Sequence, residues 1–262
     1  MQPHWTLPKL IAHRGGGRLA PENTLAGMRA AVVHGFSAVE FDVKLSRDEV
    51  PFVLHDDDLV RTTNGVGLAK AKHWSELADL DAGSWFDADF RTEGVPSLDQ
   101  VVAYCLAEGV QMNIELKPCA GMEHATGRAI AKKVGAHWHT PALKGQPLPL
   151  LSSFSTAALA AAQAAAPEVP RGLLIDVWSE DLWTLLRDLG CVSLHAAAVL
   201  WTRERVKAVH QAGFKALAWT VNDVAQAQQL LAWGVDAVVT DALDQRGAML
   251  GQLASASVGE RG

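Results

Sequence analysis

Short apolar runs alternate along the chain with longer stretches in which apolar residues recur at three- and four-residue spacing. The first pattern indicates buried strands and the second indicates helices. Eight runs have the length of a buried strand: residues 10–13, 38–43, 110–116, 148–152, 172–175, 192–195, 216–219 and 237–240. Eight strands that are each followed by a helix predict a (β/α)8 TIM barrel, an α/β fold with its chemistry at the C-terminal strand ends.

Polar and glycine residues mark the ends of the predicted helices. Glycine in the left-handed conformation commonly ends a helix, and five glycines stand between a helix-like stretch and an apolar run: Gly35, Gly109, Gly190, Gly213 and Gly234. Ser97 and Gln100 have the spacing of a capping box at a helix start. Ser179, Thr202 and Asn222 are predicted N-caps of three later helices.

A doubly wound open sheet is the alternative α/β fold. In that fold a glycine-rich dinucleotide turn joins the first strand to its helix. The first strand here lacks such a turn in the required helical context, so the barrel is favoured.

A ninth apolar run, residues 50–54, interrupts the alternation. Only residues 46–49 separate it from the second strand, which is too short for a parallel crossover, so the two runs predict a hairpin. Residues 56–96 then form a predicted insertion over the C-terminal face of the barrel. Four of its aromatic residues predict a small apolar cluster: Trp74, Trp85, Phe86 and Phe90. We expect one domain over residues 1–262 that includes this insertion.

Composition and charge narrow the range of partners. Apolar residues make up 49% of the chain and charged residues 20%, which is enough apolar surface for a large core. The net charge is −6 and no basic run is present, so we expect neither nucleic-acid binding nor stable membrane association. Three widely spaced cysteines, with no export or membrane segment in the sequence, predict a cytoplasmic protein. The sequence leaves the oligomeric state open.

Three carboxylates have the arrangement expected of a metal site. Glu40 and Asp42 are two residues apart in the second strand, so both side chains project from one face of an otherwise apolar strand. Glu115 ends the third barrel strand, on the same side of the barrel. Carboxylate oxygens in such a cluster favour Mg²⁺ or Ca²⁺. The alternative is a set of ion pairs with Arg or Lys inside the barrel.

Two histidines and two cations follow the predicted strands. His13 ends the first strand, and His55 ends the return strand of the hairpin, so we expect an acid/base pair. Arg14 and Lys117 are candidates for phosphate contacts. A simple ion pair between Lys117 and Glu115 is the alternative for that lysine.

Two further residues are candidates for the pocket wall. His195 ends the sixth barrel strand in this assignment and is a candidate for substrate binding. Trp219 ends the seventh strand, where an indole could be part of the wall or could contact a glycerol or a quaternary ammonium group.

The motifs that contain these residues resemble those of cytosolic bacterial glycerophosphodiester phosphodiesterases. In chain order they are HRGGGRLAPENT from His13, VEFDVKLS from Val39, LHDDDLVRTTNG from Leu54, IELKP from Ile114, WTVND from Trp219 and TDA from Thr240. The resemblance implies a TIM barrel, a divalent metal ion, and hydrolysis of a small glycerophosphodiester to sn-glycerol 3-phosphate and an alcohol. It implies acid/base roles for two residues, His13 and His55, metal ligation by three, Glu40, Asp42 and Glu115, and phosphate contacts by two, Arg14 and Lys117.

One departure and two alternatives accompany this resemblance. Asp48 and Glu49 stand where the family usually has Asp-Gly, and we expect the four-residue turn to tolerate the change. The alternatives are a related lipid phosphodiesterase or lyase barrel and a non-catalytic barrel that binds phosphodiesters. Either water or a glycerol hydroxyl of the substrate can serve as the nucleophile.

Overall fold

The computed structural model describes residues 7–140, 143 and 145–256. The barrel strands in this part of the chain are β1 (Leu10–Ala12), β2 (Ala38–Leu45), β4 (Gln111–Leu116), β5 (Leu150–Ser153), β6 (Arg171–Ile175), β7 (Ser193–Ala197), β8 (Lys215–Trp219) and β9 (Ala237–Thr240), and β3 (Pro51–Val53) lies outside the barrel. The eight barrel strands are parallel and pair in chain order, and β1 pairs with β9 to close the barrel. The prediction of a (β/α)8 barrel is confirmed.

Helices follow the strands and cover the outside of the sheet. They are α1 (Leu25–Val33), α2 (Trp74–Ala78), α3 (Leu98–Ala107), α4 (Glu123–Trp138), α5 (Thr156–Ala165), α6 (Leu182–Asp188), α7 (Arg203–Gln211), α8 (Val224–Ala232) and α9 (Arg246–Ala256). The main apolar core lies between these helices and the outward faces of the strands. A second apolar cluster fills the lower part of the barrel interior.

The hairpin predicted after the second strand is present. Strand β3 (Pro51–Val53) runs antiparallel to the end of β2, with Val43 opposite Val53. Glu49 in the turn has φ of 59°, in the left-handed region that favours glycine. The turn therefore tolerates Glu49, as expected, but in a backbone conformation that is unfavourable for a residue with a side chain.

The insertion has an apolar cluster of its own and contacts loops around the barrel mouth. The cluster is centred on Phe52, Leu59 and Leu77, with Trp74 packed at its edge. Phe86 packs edge to face against both Trp85 and Phe90. The prediction of one aromatic cluster is therefore correct only for Trp85, Phe86 and Phe90, because Trp74 packs in the other group, against Phe52.

The predicted helix ends are mostly confirmed. All five end glycines have positive φ, and Ser97 and Gln100 form the capping box. Thr202 caps α7, but the predictions for Ser179 and Asn222 are wrong. Asp223 caps α8 instead, and α6 begins after Asp181, which accepts a hydrogen bond from the Ser179 hydroxyl.

Candidate active site

Three buried carboxylates meet near the C-terminal end of the barrel interior. Strand β2 provides Glu40 and Asp42, and β4 provides Glu115, which lies opposite Asp42 in the strand register. One oxygen from each of the three lies within 4.8 Å of the others. The clustering expected from the sequence is therefore present in the fold.

The pKa values of these carboxyl groups show that their negative charge is incompletely compensated. Burial, together with the charge of Asp42, raises the pKa of Glu40 to about 8 and that of Glu115 to about 7. Burial opposes ionisation of Asp42 as well, but Lys117 and Arg14 outweigh it and lower the pKa of Asp42. Among the described residues, no hydrogen-bond partner reaches Glu40 Oε1, which is buried. Such a donor set fits a divalent cation with oxygen ligands.

The two candidate phosphate-binding cations lie against this cluster. Lys117 Nζ is 2.9 Å from Glu115 Oε1 and 3.6 Å from Asp42 Oδ1. Arg14 Nε is 3.6 Å from Asp42 Oδ2, while Nη1 of the same guanidinium donates to Glu22. The alternative of an ion pair between Lys117 and Glu115 therefore describes this structure. Both side chains also line the cavity, where their remaining donors can meet a ligand.

His13 is held by a carboxylate at the seam where β1 meets β9. Its Nδ1 lies 2.6 Å from Asp241 Oδ1, and its Nε2 lies 3.9 Å from Glu40 Oε2. Burial disfavours the charged imidazole, but the hydrogen bond to Asp241 and the charge of Glu40 outweigh it, so the pKa of His13 is raised. The Asp241 contact fixes the ring and directs Nε2 toward the carboxylate cluster.

His55 has a similar arrangement with its own neighbour in sequence. Its Nδ1 lies 2.6 Å from Asp56 Oδ1, and Asp56 in turn accepts hydrogen bonds from Arg61. Burial lowers the pKa of His55, although the charge of Asp42 and the bond to Asp56 act against this. The peptide N–H of Leu54 bonds to the carbonyl of Asp42, which places the end of the hairpin beside the carboxylates.

Polar residues of the loop after β1 connect the two halves of the site. Glu22 accepts from Arg14 and, through both oxygens, from Arg61 of the insertion. Asn23 donates its amide to Asp42 Oδ2, and its carbonyl oxygen accepts from the Asp42 backbone. The loop therefore orients Asp42 and links the barrel to the insertion.

A cavity of about 270 Å³ contains every predicted site residue in its wall. Trp219 lines it beside Phe154, with the two rings edge to face at 5.3 Å. His195 lines it as well, but the prediction that it ends its strand is wrong, because β7 continues to Ala197. Its side chain is fully buried within the barrel, and burial lowers its pKa to about 3. His195 is therefore neutral and can offer a hydrogen bond but no charge to a phosphate.

The sequence reasoning missed three residues around the cavity. Asp241 was given no role although it lies in the TDA motif. Closure of the barrel brings the end of β9 beside His13, and this adjacency was the available signal. Asp56 directly follows His55, so its short distance in sequence was also a signal. Phe154 follows β5, and nothing in its local pattern separates it from a surface aromatic residue.

The sequence model of the glycerophosphoryl diester phosphodiesterase family matches residues 13–245, which include every residue of the candidate site. The chain belongs to this family. The resemblance inferred from the motifs is confirmed, and this member of the glycerophosphoryl diester phosphodiesterase family is an enzyme.

Several relatives match this family member over most of its length. The glycerophosphodiester phosphodiesterase of Caldanaerobacter subterraneus subsp. tengcongensis is 29% identical over 232 residues, which are 88% of this chain and 93% of that protein. A phosphodiesterase of Oleispira antarctica, solved with its product sn-glycerol 3-phosphate, is 39% identical with a TM-score of 0.86 and covers 93% of this chain and 97% of its own. The glycerophosphodiester phosphodiesterase of Agrobacterium tumefaciens is 28% identical with a TM-score of 0.76, over 94% of this chain and 100% of its own.

In the part of the chain that the structure describes, no helix combines the length and the apolar character needed to cross a bilayer.

Proposed function

We propose that this enzyme hydrolyses small glycerophosphodiesters to sn-glycerol 3-phosphate and an alcohol. One observation carries the proposal: two histidines, each bound at Nδ1 by a carboxylate, line the same cavity as three clustered acidic residues. The product found in the Oleispira antarctica relative supports the same substrate class. The single-domain organisation over residues 1–262 stays a prediction.

Glu40, Asp42 and Glu115 would hold the divalent cation, Mg²⁺ or Ca²⁺. The raised pKa values of Glu40 and Glu115 and the unpartnered Glu40 oxygen support this assignment. When bound, such an ion supplies Lewis acidity toward a phosphoryl oxygen.

His13 and His55 would move the two protons that phosphodiester hydrolysis requires. One imidazole removes a proton from the attacking hydroxyl, and the other gives a proton to the leaving alcohol oxygen. Asp241 and Asp56 leave Nε2 of each ring available for this transfer, because each binds the opposite nitrogen.

Arg14 and Lys117 would bind the phosphoryl oxygens. Each already compensates a carboxylate of the cluster, and each lines the cavity with donors to spare. Fixed positive groups around a developing negative charge are among the largest electrostatic contributions to catalysis. Trp219 and Phe154 would pack against apolar parts of the substrate.

The decisive experiment is a coupled assay for sn-glycerol 3-phosphate on a panel of glycerophosphodiesters, with and without chelator. We expect release from the choline and ethanolamine esters, loss of activity in EDTA, and recovery on adding Mg²⁺ or Ca²⁺. Asp42→Asn is the matched variant, because it removes one carboxylate charge at constant shape. It should stay inactive at the metal concentration that restores the unaltered enzyme.

Two outcomes would contradict the proposal. Full turnover in excess EDTA, with metal removal confirmed by elemental analysis, would exclude the metal assignment. Comparable choline release from diacyl phosphatidylcholine vesicles and from glycerophosphocholine would favour the lipid phosphodiesterase alternative.

A further inference from the structure

Unpartnered polar atoms lie at or near the floor of the catalytic cavity, no higher in the barrel than Glu40 and below Asp42 and Glu115. Among the described residues, no hydrogen-bond partner reaches His195 Nδ1, Asn113 Oδ1 or Ser152 Oγ, and each of these side chains is at most 2% exposed. Buried polar groups in folded proteins are nearly always hydrogen-bonded. Three such atoms in one region therefore indicate that something else binds there.

The strand register places these atoms close to one level of the barrel. Side chains from alternate strands form layers in a TIM barrel, and the pairings put Glu40, Ser152, His195 and Val239 in one layer. Asn113 lies opposite Glu40 on the neighbouring strand, one layer lower. Both His195 and Asn113 line the cavity. The cavity floor thus contains a polar side that faces apolar Leu217 and Val239.

The local sequence makes room for the His195 ring. A Cβ on Gly172 would lie 2.4 Å from His195 Nε2 and 2.7 Å from Ser193 Oγ. Any residue other than glycine at this position would therefore clash with the His195 ring. Nε2 lies 2.9 Å from Ser193 Oγ, which occupies one ring nitrogen in either tautomer. Nδ1 is the atom that remains for a ligand, as donor or acceptor. Because the imidazole is neutral, it suits a neutral polar group.

We propose that this floor, through His195 Nδ1 and Asn113 Oδ1, binds the hydroxyl groups of the glycerol moiety of the substrate. The inference rests on the proposed function, since it names the half of the phosphodiester that enters the closed end of the cavity. Leaving alcohols of different size can extend toward solvent, whereas the constant glycerol half can be enclosed. Glycerol has hydroxyl groups on one side and C–H groups on the other, which matches a floor with one polar and one apolar side.

The test is the affinity of the Mg²⁺-loaded enzyme for sn-glycerol 3-phosphate compared with that for propyl phosphate, measured by calorimetry. The two ligands share the phosphate and differ in the two hydroxyl groups. We expect the unaltered enzyme to prefer sn-glycerol 3-phosphate by about tenfold or more, since each neutral hydrogen bond contributes a few-fold to about tenfold.

Two substitutions of the same histidine separate a specific contact from a structural role. His195→Gln keeps an amide near the position of Nε2, and His195→Asn keeps one near the position of Nδ1. We expect His195→Gln to reduce the preference to about twofold or less and His195→Asn to keep most of it. Asn113→Ala should weaken the preference independently, and thermal denaturation identifies any variant that does not fold. His124→Gln, at an exposed histidine on α4, is the matched control.

Three results would overturn the inference. The first is equal affinity of the unaltered enzyme for the two ligands. The second is a preference for sn-glycerol 3-phosphate that survives in both His195→Gln and Asn113→Ala. The third is a folded variant that loses affinity for both ligands to the same extent. The second result would mean that the floor binds only water, and the third that His195 is purely structural. Failure of the proposed function is distinguishable, because it would show as no release of sn-glycerol 3-phosphate by the unaltered enzyme in the coupled assay.

Discussion

The lower and upper halves of the barrel interior differ in almost every physical property. The lower interior is mainly apolar, with Leu7, Ile11, Ala38, Leu150 and Ala237 in one cluster, and Leu217 and Val239 of the same cluster lie at its boundary with the cavity. The upper interior contains the three carboxylates, His13 and Lys117, with a cavity among them. Burial stabilises the first region, whereas desolvated like charges destabilise the second in the absence of a cation.

The two regions are built from the same strands. In β2, Ala38 belongs to the lower interior, and Glu40 and Asp42, at two and four residues further on, belong to the upper interior. Because side chains alternate across a strand, all three point inward. The difference shows that residues for stability and residues for chemistry occupy different parts of the same strand. Substitutions in the lower half should therefore reduce stability more than kcat, and substitutions in the upper half should reduce kcat more than stability.

The largest effects are expected from the two histidines of the upper interior. His13→Ala and His55→Ala should each lower kcat by about 10²- to 10⁴-fold, because each removes a group to which we assign a proton transfer. The double variant should fall well short of the product of the two effects, since the residues act as a unit. Steady-state kinetics on glycerophosphocholine measures this, with circular dichroism to check folding. Near-normal kcat in either single variant would give that histidine a structural role instead.

A substitution in the lower interior should do the reverse. Leu150→Ala removes a buried side chain that is 4% exposed, and should lower the free energy of unfolding by about 2–5 kcal/mol. Below the denaturation temperature, kcat should stay within about twofold of normal, because Leu150 is not part of the cavity wall. Urea denaturation and kinetics on the same preparation test the separation. A loss of kcat comparable to that of His55→Ala would show that the two halves are not separate.

A charge-removing substitution in the upper interior should stabilise the metal-free protein. The pKa of Glu40 rises from 4.5 to about 8 on folding, so the native state retains a proton that the unfolded chain releases. The stability of the metal-free enzyme should therefore decrease between about pH 4.5 and pH 8. Glu40→Gln should remove the part of this decrease that Glu40 causes, while the part that Glu115 causes remains. It should raise the free energy of unfolding by about 1–3 kcal/mol at pH 8, with no gain at pH 4. Activity should be lost at every pH.

Urea denaturation in EDTA at several pH values measures this effect. Glu22→Gln is a useful comparison, because Arg14 and Arg61 compensate Glu22 and its pKa is lowered despite burial. That variant should lose stability at neutral pH. A stability gain from Glu22→Gln equal to that from Glu40→Gln would argue against uncompensated charge as the cause.

The smallest effect is expected outside both regions, in the hairpin turn. Glu49 has φ of 59°, so Glu49→Gly should relieve an unfavourable backbone conformation. The greater entropy of glycine in the unfolded chain offsets part of this, which leaves a gain of up to about 1 kcal/mol. Glu49→Ala is the control and should give no gain, because it keeps the Cβ atom. Equal gains in the two variants would assign the effect to loss of charge.

The sequence was sufficient for the parts of the structure that depend on local pattern. Periodicity located both ends of all eight barrel strands to within two residues. The five glycines predicted to end helices all have positive φ, as at Gly109 and Gly234. Glu40 and Asp42 could be assigned to one face because strand geometry fixes the direction of alternate side chains.

The parts that depend on contacts between distant segments could not be derived in this way. Asp241 lies 228 residues from His13, and only the closure of the barrel brings the two together. Asn222 is a residue type that commonly caps helices, but its side chain binds Asp241 instead. These hydrogen bonds join the segment after β8 to the segment after β9, and they compete with a local cap. His195 looks like a strand-end residue in the sequence, since the polar character of a single histidine does not reveal that β7 continues beyond it.

The shared carboxylate of Glu22 has a consequence for engineering this scaffold. It binds Arg14 from the loop after β1 and Arg61 from the insertion, and Arg61 also binds the carboxylate that orients His55. The insertion is therefore not an interchangeable module. A loop transplanted from another barrel in place of residues 56–96 would need a carboxylate at the position of Asp56 and a cation at the position of Arg61. Without that cation, Glu22 would lose one of its two guanidinium partners, and the carboxylate beside His55 would lose its own. Libraries that vary the mouth of this barrel should keep Glu22 and Arg61 unchanged and diversify the residues around them.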